Sequence, residues 1–198
     1  MQIILIRHGS TEGNALKQYI GTTDEPLSAL GIEQVRAAGR DTTVSRVWVS
    51  SRRRTHQTAK MLFPNAVQTE ERAFDEMDFG EFEGKNYAQL ENNTQYRQWV
   101  ENGCRDACPG GESRDEFAQR VCDAFEAIIN EQQGDSKLVF VLHGGTVMAL
   151  LERFAVPHKD YFTYQLKNCK GYICKAVFEE NGKLVLADLA KWHKNPEV

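Results

Sequence analysis

The chain of 198 residues lacks any apolar run near the length of about 20 residues that a bilayer-spanning helix needs; its most apolar stretches, Ile3–Ile6 and Leu138–Leu142, are short. No charged leader precedes the first of them, so neither a signal peptide nor a membrane span is expected, and a cytoplasmic location is. An excess of positive charge is also missing. Lys and Arg number 24 against 28 Asp and Glu, a net charge of −4. That balance speaks against a nucleic-acid partner, because affinity for a phosphate backbone comes from clustered Lys and Arg. Low-complexity tracts, Pro/Gly/Ser linkers and repeats of roughly 20–50 residues are absent, so one domain over residues 1–198 is expected. The five cysteines, at 104, 108, 122, 169 and 174, form no C-x2-C knuckle and have no His cluster beside them. Reduced thiols are expected rather than a zinc site or a disulfide framework.

What is present is an α/β pattern. Ile3-Ile4-Leu5-Ile6 has no in–out alternation, which marks a parallel strand covered on both faces. Val47-Trp48-Val49-Ser50 and Leu138–Leu142 read the same way, and Val67-Gln68-Thr69 as a short edge strand. Residues 11–23 read as loop. Ser28 caps a helix to about Arg40 with Leu30, Val35 and Ala38 on its apolar face. A helix follows Arg52-Arg53-Arg54 through Leu62, residues 74–84 form a structured acidic and aromatic loop, and 86–102 a polar helical segment. Ser113 with Glu116 is a capping box, opening a helix to about Glu131, and Thr146–Phe154 is helical. Alternation in Tyr172–Phe178 and Leu184–Leu189 around Asn181-Gly182 predicts an antiparallel hairpin. The fold expected is a three-layer α/β/α with a mostly parallel central sheet, an antiparallel C-terminal edge and a small helical cap over about 85–112.

Three apolar strands end in similar chemistry: Arg7-His8-Gly9, then Arg52-Arg53-Arg54, then His143-Gly144-Gly145. In a mostly parallel sheet these ends share one edge, where open α/β sheets bind ligands. Helices that start there add N–H donors and partial positive charge. Two imidazoles and several guanidiniums at such an edge suit a phosphate. A lone Arg-His-Gly is weak, and three arginines in a row are an ordinary helix start; their common position at buried strand ends gives them weight. His56, His158 and His193 lack that setting and are assigned to surface or packing.

These motifs resemble the histidine phosphatase superfamily, in the branch that includes phosphoglycerate mutases and α-ribazole phosphatases. The likeness runs in order through Leu5-Ile6-Arg7-His8-Gly9-Ser10-Thr11-Glu12 with Asn14, and Gly21-x-Thr23-Asp24-x-Pro26-Leu27-Ser28-x-x-Gly31. It continues with Ser50-x-x-x-Arg54-x-x-Gln57-Thr58-Ala59, Glu76-x-x-Phe79-Gly80-x-Phe82-Glu83-Gly84, Pro109-Gly110-Gly111-Glu112-Ser113 and His143-Gly144-Gly145. The resemblance implies that Arg54, not Arg52 or Arg53, binds phosphate and that Glu76 is the proton donor. It implies a phosphomonoester hydrolase with His8 as nucleophile, catalytic Arg7, Arg54, Glu76 and His143, and a substrate-binding set of Arg7, Asn14, Arg54, His143 and Gly144. No metal and no cofactor are expected, since two Arg and two His supply the positive charge. Ser51-Arg52 stands where the family often has Pro-Leu, and Gly13 and Phe82 where it often has Trp. The segment Tyr19-Ile20-Gly21-Thr22-Thr23-Asp24-Glu25-Pro26 is most similar to the α-ribazole phosphatase group. The partner expected is a small phosphorylated metabolite, with α-ribazole 5′-phosphate of cobalamin biosynthesis first, and a broad-specificity phosphatase or a phosphoglycerate mutase as alternatives. A non-catalytic phosphate-binding module is the rival of another class. Tyr87, Tyr96 and Trp99 either pack on a leaving group or fix the cap to the body.

Overall fold

The computed structural model describes residues 1–192, so His193 lies outside the described residues. A six-stranded sheet runs in the order β3-β2-β4-β1-β5-β6. Its strands are β1 (Gln2–Arg7), β2 (Arg46–Val49), β3 (Val67–Glu70), β4 (Lys137–Leu142), β5 (Gly171–Phe178) and β6 (Leu184–Trp192). The first four are mutually parallel; β5 pairs antiparallel with β1, and β6 with β5. The turn at Asn181-Gly182 closes the hairpin, with Gly182 at φ 80°, a conformation that glycine adopts without steric cost.

The unbroken apolar runs are explained by helices on both faces. Ile3, Leu5, Leu138 and Phe140 face α6 (Arg114–Glu131) and α7 (Gly144–Phe154), packing with Phe117, Phe125 and Leu150. Ile4, Ile6, Val139 and Val141 face α2 (Ala29–Ala38) and α3 (Arg53–Leu62), packing with Val35, Ala59 and Leu62. Full burial of side chains of this size contributes about 1.5–3 kcal/mol each. The central pair β1 and β4 is therefore the rigid support on which the strand ends are mounted. Among the described residues no helix is long and apolar enough to cross a membrane.

Several elements differ from the sequence-based expectation. The 11–23 stretch contains a one-turn helix, α1 (Glu12–Ala15), closed by a capping box between Thr11 and Asn14. Asn at the third position replaces the usual Glu or Gln of such a box, so the sequence there lacks the standard capping-box pattern. The polar segment after Asn86 is two helices, α4 (Tyr87–Leu90) and α5 (Thr94–Glu101). Asn93 breaks it by accepting the Tyr96 N–H as a new N-cap, the competition that favours Asn at helix starts over helix interiors. Leu30 is exposed, and α2 buries Val35 instead. Helix α7 begins at Gly144, directly on His143, earlier than the two glycines indicated.

The cap is stitched to the first loop by backbone. Tyr19 N–H donates to the Lys85 carbonyl and its carbonyl accepts from Gly84 N–H, at 3.0 and 2.9 Å. The Tyr19 hydroxyl meets that of Tyr96 at 2.9 Å, and Tyr19 packs edge-on to Trp99. Tyr96 is thus a packing residue and Tyr87 sits exposed on the outer face; of the three cap aromatics, Trp99 reaches the central cavity.

Candidate active site

The carboxyl ends of β1 and β4 are adjacent, and they bring His8 and His143 together with ring centroids 5.1 Å apart. Both imidazoles are buried. His8 Nδ1 lies 2.6 Å from the Gly9 carbonyl oxygen. A carbonyl only accepts, so Nδ1 carries the proton and the neutral ring has its lone pair on Nε2. Gly9 is itself fixed, donating its N–H to Thr58 Oγ1 at 3.0 Å. His143 is oriented from both sides. Arg54 Nε donates to its Nδ1 at 3.2 Å, which leaves Nε2 to donate to Ser50 Oγ at 2.7 Å.

Arg54, on α3, is fully buried. Its Nη1 donates to the Thr23 carbonyl at 2.7 Å and its Nη2 to that of Gly21 at 3.0 Å. Those carbonyls are held in place by Glu83, which accepts from Gly21 N–H, Thr22 N–H and Thr23 Oγ1. Arg7 donates from Nη1 to the Leu166 carbonyl at 2.6 Å, while its Nε is buried with no partner among the described residues. Burial and the cations Arg54 and Arg7 hold the His8 imidazolium pKa well below the ordinary histidine value. His143 is lowered in the same way, by burial first and then by Arg54.

Glu76 meets this group from the 74–84 loop. Its Oε2 accepts from Gly145 N–H at 2.9 Å and its Oε1 from Met77 N–H at 3.0 Å. Burial raises its carboxyl pKa above the ordinary value, against the lowering effect of these two bonds and of Arg54 and Arg7. The loop is fixed by Arg120, which donates to the carbonyls of Ala73 and Asp75 at 2.8 and 2.9 Å and pairs with Glu112. Glu112 in turn accepts from Asp78 N–H at 2.9 Å. The Pro109–Ser113 turn thereby holds the acid loop.

A cavity of about 470 Å³ opens over Glu76 and Arg7, lined also by Asn14, Gly144, Trp99 and Tyr161. The expected residues Arg7, His8, Arg54, Glu76 and His143 converge, with Asn14 and Gly144 on the adjoining wall. Asn14 spends its Oδ1 on Asn168 Nδ2 at 3.0 Å. Arg52 turns instead to Asp75, at 3.0 Å. His56 bonds Gln68 and His158 the Glu152 carbonyl, both outside the site. Ser50, Asn168, Arg114 and Tyr161 were not singled out from sequence. Ser50 opens the Ser50-x-x-x-Arg54 motif, and the other three carry no local signal. Among the described residues no three His, Cys, Asp or Glu side chains gather as a metal site.

A buried histidine with a bare Nε2, flanked by two guanidiniums and a raised carboxyl at a parallel sheet edge, is the arrangement of a phosphoryl-transfer site. The family model described as histidine phosphatase superfamily (branch 1) matches residues 3–187, and the chain belongs to that superfamily. It is similar to the probable phosphoglycerate mutase GpmB of Salmonella choleraesuis (strain SC-B67), 30% identical over 177 residues, covering 85% of this chain and 82% of the relative. Among solved structures it is similar to the alpha-ribazole phosphatase from Shigella flexneri, with a TM-score of 0.79 and 26% identity over 94% of each chain. The fold is shared with a mycobacterial hydrolase 1, with a TM-score of 0.81 and 21% identity over 98% of this chain and 99% of that one. Phosphatase and mutase chemistry is the activity of this family.

Proposed function

We propose that the protein is a phosphomonoester hydrolase that works through a phosphohistidine. The observation that carries this reading is the His8 Nδ1 contact with the Gly9 carbonyl, which leaves Nε2 unprotonated beside two guanidiniums. In the first step Nε2 forms a bond to phosphorus as the bond from phosphorus to the ester oxygen breaks. Glu76 gives its proton to the departing oxygen, which otherwise leaves poorly as an alkoxide. Arg7, whose Nε has no partner among the described residues, and Arg54 hold the equatorial oxygens. His143, expected to bind the phosphoryl group directly, has both ring nitrogens taken by Arg54 and Ser50 and positions Arg54 instead; Asn14 and Gly144 border the phosphoryl group. In the second step Glu76, now a carboxylate, takes a proton from water, whose oxygen attacks phosphorus. The Nε2–phosphorus bond breaks, and His8 and Glu76 return to their starting states. No step in this scheme calls for a metal.

The substrate in this reading is a small phosphorylated metabolite met in the cytoplasm. α-Ribazole 5′-phosphate is the compound to try first: the likeness to an α-ribazole phosphatase and the aromatic cavity wall of Tyr19, Phe79 and Trp99 support it. A phosphoglycerate mutase is the second reading, favoured by the GpmB relative. The test is His8→Ala with a 32P-labelled ester. The wild type is expected to form an acid-labile phosphoenzyme and to release phosphate in EDTA, and the variant to do neither. Acid-labile label on the variant would assign the nucleophile elsewhere; binding without turnover by the wild type would make the protein a phosphate-binding module.

A further inference from the structure

Residues 166–169, the segment that leads into β5, grip three parts of the site at once. The Leu166 carbonyl accepts from Arg7 Nη1. Cys169 N–H is shared between the carbonyls of Arg7 and His8, at 3.0 Å to each. Between these contacts the Asn168 side chain donates to the His8 carbonyl at 3.2 Å and to Asn14 Oδ1 at 3.0 Å. Cys169 stands at φ 58°, a left-handed conformation that a residue with a side chain adopts only where its surroundings enforce it. The segment is therefore built against the end of β1 at some cost, ahead of the strand pairing that begins at Gly171.

The contacts of Asn168 dictate which way Asn14 faces. A side-chain amide has one accepting atom and one donating atom, and only the donor attracts a phosphoryl oxygen. A backbone carbonyl only accepts, so the Asn168 atom on the His8 carbonyl is Nδ2. That NH2 group has two hydrogens, and the second goes to Asn14, whose facing atom must then be Oδ1. Thr11 N–H lies 3.4 Å from the same Oδ1. With Oδ1 turned to these two donors, Asn14 Nδ2 is the atom left for a ligand in the cavity that Asn14 lines with Arg7 and Gly144. Reversal of the amide would set an acceptor against the phosphoryl oxygens and a donor against the Asn168 NH2.

We propose that Asn168 is a positioning residue: it locks Asn14 with its N–H donor towards the phosphoryl group, and it ties that donor to the backbone of His8. One NH2 group thus sets the spacing between the attacking imidazole and a donor to the phosphoryl oxygens, a geometry on which rate depends steeply. Asn168 acts through Asn14 and does not itself meet the substrate. The inference rests on the phosphomonoesterase reading for the identity of the ligand, but binding alone reads it as well as turnover does.

The test is a double-mutant cycle of Asn168→Ala and Asn14→Ala, read as the Kd for inorganic phosphate by calorimetry and as kcat/KM for p-nitrophenyl phosphate. Asn168→Ala leaves Cys169 N–H on the His8 carbonyl. Asn14→Ala is expected to weaken phosphate binding by about tenfold, the worth of one hydrogen bond to a charged group. Asn168→Ala is expected to weaken it by about fivefold alone, and by less than about twofold once Asn14 is alanine. Asn168→Asp, of the same shape, is expected to lose more than Asn168→Ala, because a carboxylate accepts and turns the Asn14 N–H away from the ligand. A packing role would rank the two the other way. Should Asn168→Ala fail to fold, Asn168→Asp is carried through the same cycle, and its loss is expected to shrink in the Asn14→Ala background. Losses that simply add, or wild-type binding by Asn168→Asp, overturn the proposal. Coupled losses in phosphate binding without wild-type turnover keep the positioning role and remove the hydrolase. Turnover with additive losses does the reverse, and absence of both binding and turnover removes both.

Discussion

Gly145→Ala is the substitution whose effect the geometry specifies most closely. Gly145 lies in the first turn of α7, and a methyl group on its Cα would stand 2.2 Å from Glu76 Oε1 and 3.2 Å from the Tyr161 hydroxyl. The carboxyl must retreat by about 1 Å, a displacement that costs about a hundredfold in rate where the group takes part in the reaction. The same retreat weakens the 2.9 Å bond from Gly145 N–H that holds Oε2. Helix propensity acts the other way, since Ala is favoured over Gly by up to about 1 kcal/mol in a helix. The protein is therefore expected to lose activity with little loss of melting temperature. The assay compares an alkyl phosphate, whose leaving oxygen needs a proton, with p-nitrophenyl phosphate, whose leaving group does not. For the alkyl ester kcat should fall by about a hundredfold, and for the nitrophenyl ester by far less. An equal fall on both would show that the methyl disturbs His8 or the phosphate clamp instead, and an unchanged alkyl rate would remove Glu76 from the proton transfer.

Glu76→Gln tests the same group chemically, with an expected loss of about 10²–10⁴-fold for alkyl esters and little for p-nitrophenyl phosphate; parallel losses refute the acid role. Acid should destabilise the protein through its two buried imidazoles. His8 and His143 are lowered in the fold but titrate near 6.5 when unfolded. Below that pH the unfolded chain binds more protons, and each ring costs about 1.4 kcal/mol per pH unit until its native value is reached. Urea midpoints of the wild type and His8→Asn between pH 7 and 5 measure this, and an identical slope in the variant refutes it. Glu76 has the opposite sign. Its native carboxyl keeps its proton above the ordinary 4.5, so its contribution falls as pH rises past that value, and Glu76→Gln, which removes this opposing effect, should steepen the net rise of stability with pH.

The frame of the site was legible because its signals are local. Unbroken apolar runs showed that β1 and β4 are covered on both faces, and their ends placed His8 and His143. Arg54 and Glu76 were different: three adjacent arginines and five neighbouring acids look alike to periodicity, and the family resemblance separated them. The partners that tune these groups were hidden by distance in sequence. Ser50 meets His143 across 93 residues, and Asn168 meets Asn14 across 154. No local pattern records such a contact. Arg114 reads as an ordinary charged residue after a capping serine until its burial and its seat on Tyr161 are known. The single polar helix expected over 86–102 fails for a local reason, the capping chemistry of Asn93.

The backbone stitching between Tyr19 and residues 84–85 makes the cap a dependent part. Tyr19 pairs its N–H and carbonyl with that strip, and Asn86 Nδ2 reaches the Leu16 carbonyl at 3.2 Å. The aromatic wall of the cavity is thus built from two chain segments that hold each other in position. A chimera that imports α4 and α5 from a relative to change substrate choice would leave Tyr19 without Tyr96 and Trp99. It would also displace the loop that follows His8. Specificity here is heritable only in blocks: residues 16–20 must travel with residues 79–101, or the graft will damage the chemistry it was meant to redirect.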